Sequence, residues 1–241
     1  MTSNKLNNIL LILFVSLSYM LKAQTNPKKS LSLKEQHIVA IAASTSKGDL
    51  AMLKTELETG LDAGLTVNQI KEVIVHIYAY AGFPRSIRGL QTFMAVLDER
   101  KAKGITDPPG AEASPIDNSE SKYARGRTIL QQLTGVPEMG TKAGYAAFAP
   151  IIEVFLKEHL FADIFERDIL SYTERELVTI SVLASIGGVE PMLQSHLKIC
   201  LNVGLTAEQL QQFVTIIKSK IGEDDAIVAG NVLDEVLKTT K

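Results

Sequence analysis

Cysteine is almost absent from this chain, since Cys200 is the only one among 241 residues. A single cysteine excludes an internal disulfide and a paired-thiol redox centre within one chain. Stability must therefore come from the packing of apolar side chains, and the hydrophobic fraction of 46% is ordinary for a globular protein.

The sequence also lacks an excess of charge of one sign, with 25 Lys and Arg against 27 Asp and Glu. Nucleic-acid binding needs a strongly basic surface, so this balance argues against it. His76 and His159 have no second His or Cys at the spacing of metal ligands, and no phosphate loop or nucleophile elbow is present. We therefore expect no metal site and no nucleic-acid partner.

Long apolar runs are lacking beyond the first 23 residues. Lys5, the 13-residue apolar run 9–21 and the small residue Ala23 are typical of a secretory signal peptide over 1–23. The run is shorter than the roughly 20 residues that a membrane span needs. A buried N-terminal helix is the alternative interpretation. We expect cleavage near Ala23 and an exported, periplasmic protein that is free of the membrane.

What the sequence does contain is an internal repeat. The string Gly-Leu-Thr-Val-Asn-Gln-Ile at 64–70 recurs as Gly-Leu-Thr-Ala-Glu-Gln-Leu at 204–210, which is 140 residues later. At the same offset Gly48 and Gly82 also align with glycines. Two copies of one helical unit predict an all-α protein that is built as an internal pseudo-dimer.

Apolar residues at helical spacing follow three predicted capping boxes, and no segment alternates like a strand. The predicted boxes are Ser32–Glu35, Thr66–Gln69 and Thr173–Glu176. Proline, glycine and serine are concentrated in 104–121, which is typical of a linker. We therefore predict an N-terminal domain at 24–103, a linker at 104–121 and a C-terminal domain at 122–241.

The candidate for acid–base chemistry is His196, which lies within a predicted helix beside an apolar stripe. Imidazole is the side chain best suited to proton transfer near neutral pH. Glu176 lies 20 residues earlier, on the preceding helix, and a tight pair of helices would bring the two together. A buried structural histidine is the alternative for His196, and helix capping alone would explain Glu176.

A second distinctive string, Ala-Tyr-Ala-Gly-Phe-Pro-Arg, covers residues 79–85. Its Gly-Phe-Pro portion predicts a bend, and Arg85 and Arg88 then share a face of the next helix. Arginines on one face can bind a carboxylate through paired hydrogen bonds. We therefore expect Tyr80, Arg85 and Arg88 to contact a substrate, while a helix junction with solvated arginines is the alternative.

Several strings together resemble the carboxymuconolactone decarboxylase family: Glu-Arg-Glu-Leu-Val-Thr-Ile at 174–180, His196, Asn-Val-Gly-Leu-Thr at 202–206, and Tyr-Ala-Gly-Phe-Pro at 80–84. The resemblance implies a tandem of two alkylhydroperoxidase D-like helical domains. It also implies self-association, as a trimer or a hexamer-like assembly.

One branch of that family, the alkylhydroperoxidase D type, has a Cys-x-x-Cys pair just before the helical histidine. The corresponding stretch here is Val-Glu-Pro-Met at 189–192, so both sulfurs are missing. Peroxidase or peroxiredoxin activity follows from family membership alone, and the missing dithiol opposes it.

The other branch, the lactone decarboxylases, uses no cofactor. The resemblance implies that His196 is a proton donor, Glu176 its orienting partner and Arg85 an anchor for a substrate carboxylate. Only Glu56 aligns with His196 in the first repeat, so one such site per chain is expected. We therefore predict a lyase that acts on a small carboxylated, lactone-like substrate, with a non-catalytic exported binding protein as the alternative.

Overall fold

The computed structural model of the protein describes residues 30–138 and 142–239. The predicted signal peptide lies outside the described residues. Over the described ranges the chain forms α-helices and one π-helix and no strand, which confirms the predicted all-α class. The α-helices are α1 (Leu33–Lys47), α2 (Leu50–Asp62), α3 (Val67–Ala102), α4 (Lys122–Thr134), α5 (Gly144–Phe148), α6 (Pro150–Phe155), α7 (Tyr172–Ile186), α8 (Glu190–Asn202), α9 (Ala207–Lys220) and α10 (Glu223–Thr239), and the π-helix is Leu156–Phe165. None of the described helices combines the length and the apolar character needed to cross a bilayer.

The start of α7 differs from the sequence prediction in a way that matters for the site. The N-cap is Ser171, whose hydroxyl accepts from the backbone N–H of Glu174, and the Glu174 carboxylate accepts from the backbone N–H of Ser171. The predicted Thr173–Glu176 box is therefore wrong by two residues. Glu176 is fully buried and has no capping duty, so helix capping does not explain its carboxylate.

The long helix α3 bends where the sequence predicts a bend. Gly82 has φ 79° and ψ 163°, which breaks the helical geometry, and Pro84 follows it. A backbone with φ in this range favours glycine because it has no Cβ. The second repeat breaks at the matching Gly222, between α9 and α10.

The two repeats pack around a central pair of helices. Helix α1 lies against α7, while α3 packs on α7 and α9 packs on α1. Each repeat therefore places its third helix on the first helix of the other repeat. Apolar side chains of all these helices form one core, with fully buried members including Ile38, Ile41, Leu177 and Ile180.

Residues outside the repeats build a second, smaller apolar cluster. Helix α4 packs on the π-helix and also contacts α8. Its buried members include Ile129, Leu133, Phe161 and Phe165, together with Ile199 of α8. This packing holds the π-helix against the second repeat.

The connecting segment 105–120 joins α3 to α4 without regular structure. The carbonyl oxygens of Pro108 and Pro109 accept from the backbone N–H groups of Val67 and Asn68, at 3.1 and 2.9 Å. These are free donors at the start of α3, so the segment satisfies the helix end that it crosses.

Candidate functional site

The structure brings His196 and Glu176 into direct contact. Nδ1 of His196 lies 2.8 Å from Oε2 of Glu176, the carboxylate side chain is completely buried, and 14% of the imidazole is exposed. A carboxylate only accepts, so Nδ1 carries the proton and donates it. The partly exposed ring therefore has Nε2 free for a bound molecule.

The second oxygen of Glu176 has a different environment. Oε1 is buried and has no hydrogen-bond partner within the part of the chain that the structure describes. An unpaired buried acceptor costs about 1–3 kcal/mol. Such an oxygen is available to accept a hydrogen bond or to share the proton of the imidazole during a reaction.

Tyr80 completes the immediate surroundings of the pair, and it comes from the first repeat. Its ring meets His196 edge-on, with centroids 6.1 Å apart and an interplanar angle of 82°. Burial, with the charge of Glu176 as a second cause, raises the pKa of Tyr80. The phenol therefore stays neutral and is a hydrogen-bond donor.

A buried charged cluster lies beneath the pair. Arg175 is fully buried, and its Nη2 donates to Oε1 of Glu72 at 2.7 Å. Arg167 donates through Nε and Nη2 to the same carboxylate. Burial opposes the ionisation of Glu72, but the hydrogen bonds from Arg167 and Arg175 outweigh it and lower its pKa. The carboxylate is thus held as an anion between two guanidinium groups.

His76 connects this cluster to the site. It is completely buried, with Nδ1 at 3.2 Å from Nη1 of Arg175 and Nε2 at 2.9 Å from Oγ1 of Thr179. Burial, then the positive charge of Arg175, lowers the pKa of His76 well below its ordinary value. The ring is stacked with Tyr80 and meets Phe165 of the π-helix edge-on. A neutral imidazole therefore supports one face of Tyr80.

The two arginines predicted to bind substrate lie elsewhere. Arg85 is exposed, and its guanidinium fills the space beside Gly48 where a Cβ would stand, at the end of α1. Arg88 is exposed and donates to Oε1 of Gln91 at 3.1 Å. The structure thus unites Tyr80 with the His196 pair but does not bring either arginine into contact with it.

Sequence reasoning missed the residues beneath the pair, namely Glu72, His76, Arg175 and Thr179. A signal was present for two of them. Arg175 and Thr179 are four residues apart, so they share one face of α7, and that face is otherwise apolar. Polar side chains on a buried helical face need partners, and here they find them on α3.

The first repeat contains a second pair, which the sequence analysis did not anticipate. Nδ1 of His37 lies 3.0 Å from Oε2 of Glu56, and Nζ of Lys220 lies 2.7 Å from the other oxygen, Oε1. His37 stands five residues after its cap Ser32, as Glu176 does after Ser171. The pair is therefore reversed, with histidine on the first helix and glutamate on the second.

Cysteine and metal chemistry find no support at the site. Cys200 is fully buried, and burial, then the charge of Glu176, raises the pKa of its thiol well above the ordinary value. No group of three His, Cys, Asp or Glu side chains within the described ranges is arranged to hold a metal ion. The reactive groups at this place are thus the imidazole, the carboxylate and the phenol.

Comparison with known proteins agrees with this picture. The model of the carboxymuconolactone decarboxylase family matches residues 15–93 and 154–229. A 4-carboxymuconolactone decarboxylase of Acinetobacter baylyi is 25% identical over 122 residues, which are 50% of this chain and 90% of that protein. An uncharacterised protein of Methanocaldococcus jannaschii is 28% identical over 72 residues, which are 30% of this chain and 67% of that protein. The two matched segments cover more than half of the chain, so it belongs to the carboxymuconolactone decarboxylase family and carries the family unit twice.

Proposed function

We propose that the protein is a cofactor-free lyase that decarboxylates a small carboxylated, lactone-like substrate, with His196 as the proton donor. The observation that carries this proposal is the anchoring of Nδ1 of His196 to the buried Glu176. The anchor fixes the ring and stabilises its protonated form, while Nε2 faces the more open side.

The proposed reaction needs only the transfer of a proton. The bond between the ring carbon and the substrate carboxylate breaks, carbon dioxide leaves, and the electron pair moves through the conjugated system to the lactone carbonyl oxygen. Nε2–H of His196 then gives its proton to the carbon, and the imidazole regains a proton from water. One proton is consumed for each carbon dioxide that is released.

Family membership supports the class of reaction, and the relative named as a 4-carboxymuconolactone decarboxylase suggests the first substrate to try. The predicted signal peptide at 1–23 suggests a substrate found outside the cytoplasm. Small unsaturated lactone acids other than 4-carboxymuconolactone therefore belong in the same screen.

The test is a decarboxylation assay on the full chain, with release of carbon dioxide and incorporation of deuterium from D₂O as readouts. General acid–base assistance is worth about 10²–10⁴-fold in rate, so His196→Ala should lose that much turnover. His159→Ala is the matched control, because His159 is 49% exposed and forms its ion pair with Asp163, on its own helix. Normal turnover per folded molecule of His196→Ala would contradict the proposal.

The proposal extends to self-association, as a trimer or a hexamer-like assembly. Helix α3 exposes Phe83, Ile87 and Met94 at 63%, 51% and 64%. Exposed apolar side chains close together on one helix are typical of an interface between subunits. Sedimentation velocity of the wild type and of Met94→Lys measures the state directly, and a monomer in both would contradict this part.

A further inference from the structure

The buried chain of hydrogen bonds behind Tyr80 has a fixed direction at its start. Arg175 has only donors, so Nδ1 of His76 must accept from Nη1 of Arg175. The neutral imidazole then carries its single proton on Nε2. That proton is donated to Oγ1 of Thr179 at 2.9 Å.

Thr179 passes this polarity on towards the site. Its hydroxyl accepts from His76, and its own proton has two acceptors within reach: the backbone oxygen of Arg175 at 3.0 Å and Oη of Tyr80 at 3.3 Å. When Thr179 donates to Tyr80, the phenol keeps its own proton for a third partner. Each bond in such a series strengthens the next one.

The third partner of the Tyr80 phenol lies on the side of His196. The Tyr80 ring is held between the His76 face and the His196 edge, so its position relative to the acid–base pair is fixed by packing on both sides. The negative charge of Glu176 and burial keep the phenol protonated. A protonated phenol next to a proton donor is the arrangement that stabilises a developing oxyanion.

We propose that the Tyr80 hydroxyl is a catalytic hydrogen-bond donor to the oxyanion that forms on the substrate carbonyl, and that His76 and Thr179 are its positioning residues. This inference rests on the proposed function, because it assigns the electron-accepting oxygen of that reaction to Tyr80. It makes the first repeat a contributor to chemistry that is centred on the second.

The test uses a probe that needs no turnover. 4-Nitrophenolate carries a delocalised oxyanion on a planar ring, and 4-nitroanisole is the same ring with the oxyanion blocked by a methyl group. The affinity of both for the full chain is measured by titration at a pH where the phenol is ionised. The ratio of the two affinities reports the oxyanion contact and removes the contribution of ring packing.

The wild type should prefer the phenolate, and Tyr80→Phe should reduce that preference by about 10- to 100-fold, as expected for a hydrogen bond to a charged group. Thr179→Val keeps the shape but ends the donor series, and should reduce it about three- to tenfold. Thr179→Ser restores the hydroxyl and should recover the preference. Thr45→Val is the matched control, because Thr45 is also a buried helical threonine that donates to the oxygen four residues earlier.

Two outcomes would overturn the inference: a wild type without preference for the phenolate, or a Tyr80→Phe variant with the preference of the wild type. A loss in Thr179→Val that Thr179→Ser does not recover would remove the positioning roles. Failure of the proposed function is seen separately, since the His196→Ala turnover assay can fail while the phenolate preference persists. The melting temperature of each variant shows that the folded protein is being compared.

Discussion

The two repeats contain the same pair of side chains in opposite order, and the partners around the pair differ. In the first repeat both oxygens of Glu56 are held, one by His37 and one by Lys220. In the second repeat one oxygen of Glu176 binds His196, while the other is buried without a partner among the described residues. The first pair is thus a satisfied ion cluster, and the second retains capacity to bind or to exchange a proton.

The residue that makes this difference occupies one equivalent position in each repeat. Lys220 and Tyr80 are 140 residues apart, and each reaches the pair of the opposite repeat from a third helix. A lysine there neutralises the carboxylate, whereas a neutral tyrosine leaves its charge to the histidine. A single change of side chain therefore separates a structural pair from a reactive one.

The layer beneath each pair differs in the same sense. Arg175 and Glu72 lie beneath the second pair, and Gln36 and Gln212 stand at the matching positions of the first repeat. The two glutamines bind the backbone of Leu31. Charged residues thus support the site that we propose to be reactive, and neutral amides support the other.

The strongest test of this contrast is Glu72→Gln, which leaves two arginines without their carboxylate. Breaking a buried ion pair by removal of one partner costs about 3–5 kcal/mol, so we expect a fall of that size in the free energy of unfolding. Gln212→Ala is the control at the equivalent position and should cost about 1 kcal/mol, the value of one hydrogen bond. Urea denaturation measures both, and equal losses would mean that the two layers do not differ.

Glu176→Gln and Glu56→Gln make the same isosteric change in the two pairs. In Glu176→Gln the amide oxygen would still accept from Nδ1 but would not balance an imidazolium, so turnover should fall by about 10- to 100-fold, or about 1.4–2.7 kcal/mol. Glu56→Gln should leave turnover unchanged. The decarboxylation assay distinguishes them, and a matching loss in Glu56→Gln would show that both pairs take part in the reaction.

Lys220→Met removes the cation from Glu56 and tests the satisfied pair through its pH dependence. Burial opposes the ionisation of Glu56, but His37 and Lys220 outweigh it and lower its pKa in the folded protein. A lowered folded pKa stabilises the protein above the ordinary carboxyl pKa, and that stability is lost as the pH falls through the lowered value. Lys220 is 34% exposed, so Lys220→Met should cost about 1 kcal/mol at neutral pH.

The acid limb of the stability curve is the second readout for Lys220→Met. Without the cation, the folded pKa of Glu56 rises towards its ordinary value, so the loss of stability with falling pH becomes shallower. Thermal unfolding between neutral and acidic pH measures this slope. An unchanged slope would mean that Lys220 does not stabilise the ionised carboxylate.

The smallest effect concerns Cys200, which takes the place of Gly60 in the first repeat. Its thiol is buried and protonated, because burial raises its pKa well above the ordinary range. Cys200→Ala should therefore change turnover by less than about twofold and stability by about 1 kcal/mol. Loss of a thiol-dependent peroxide reduction in this variant would restore the peroxidase alternative.

The repeat strings 64–70 and 204–210 were enough to predict the class of fold and its double architecture. A single offset of 140, however, hid the second pair. Residues 187–189 connect α7 to α8, whereas only residues 48–49 connect α1 to α2, so the first helices align at 139. At the offset of 140 His37 falls opposite Leu177, and its relation to Glu176 is lost.

Other parts of the site depend on packing that no local pattern contains. The contact of Tyr80 with His196 requires α3 of one repeat to lie on α7 of the other. Two capping patterns were compatible with the start of α7, and only the burial of Glu176 favours Ser171 over Thr173. Periodicity thus predicted the helices, while the partners of each polar side chain followed from their assembly.

The connecting segment 105–120 has a consequence for symmetry. In a dimer of identical chains, the two-fold axis requires both sites to have the same residues, so a substitution that improves one site alters the other. The covalent link between the repeats removes that requirement, and Tyr80 and Lys220 can differ at equivalent positions. Fusion of the two copies thus permitted a division of labour, in which one pair carries the ionic packing and the other is released for chemistry.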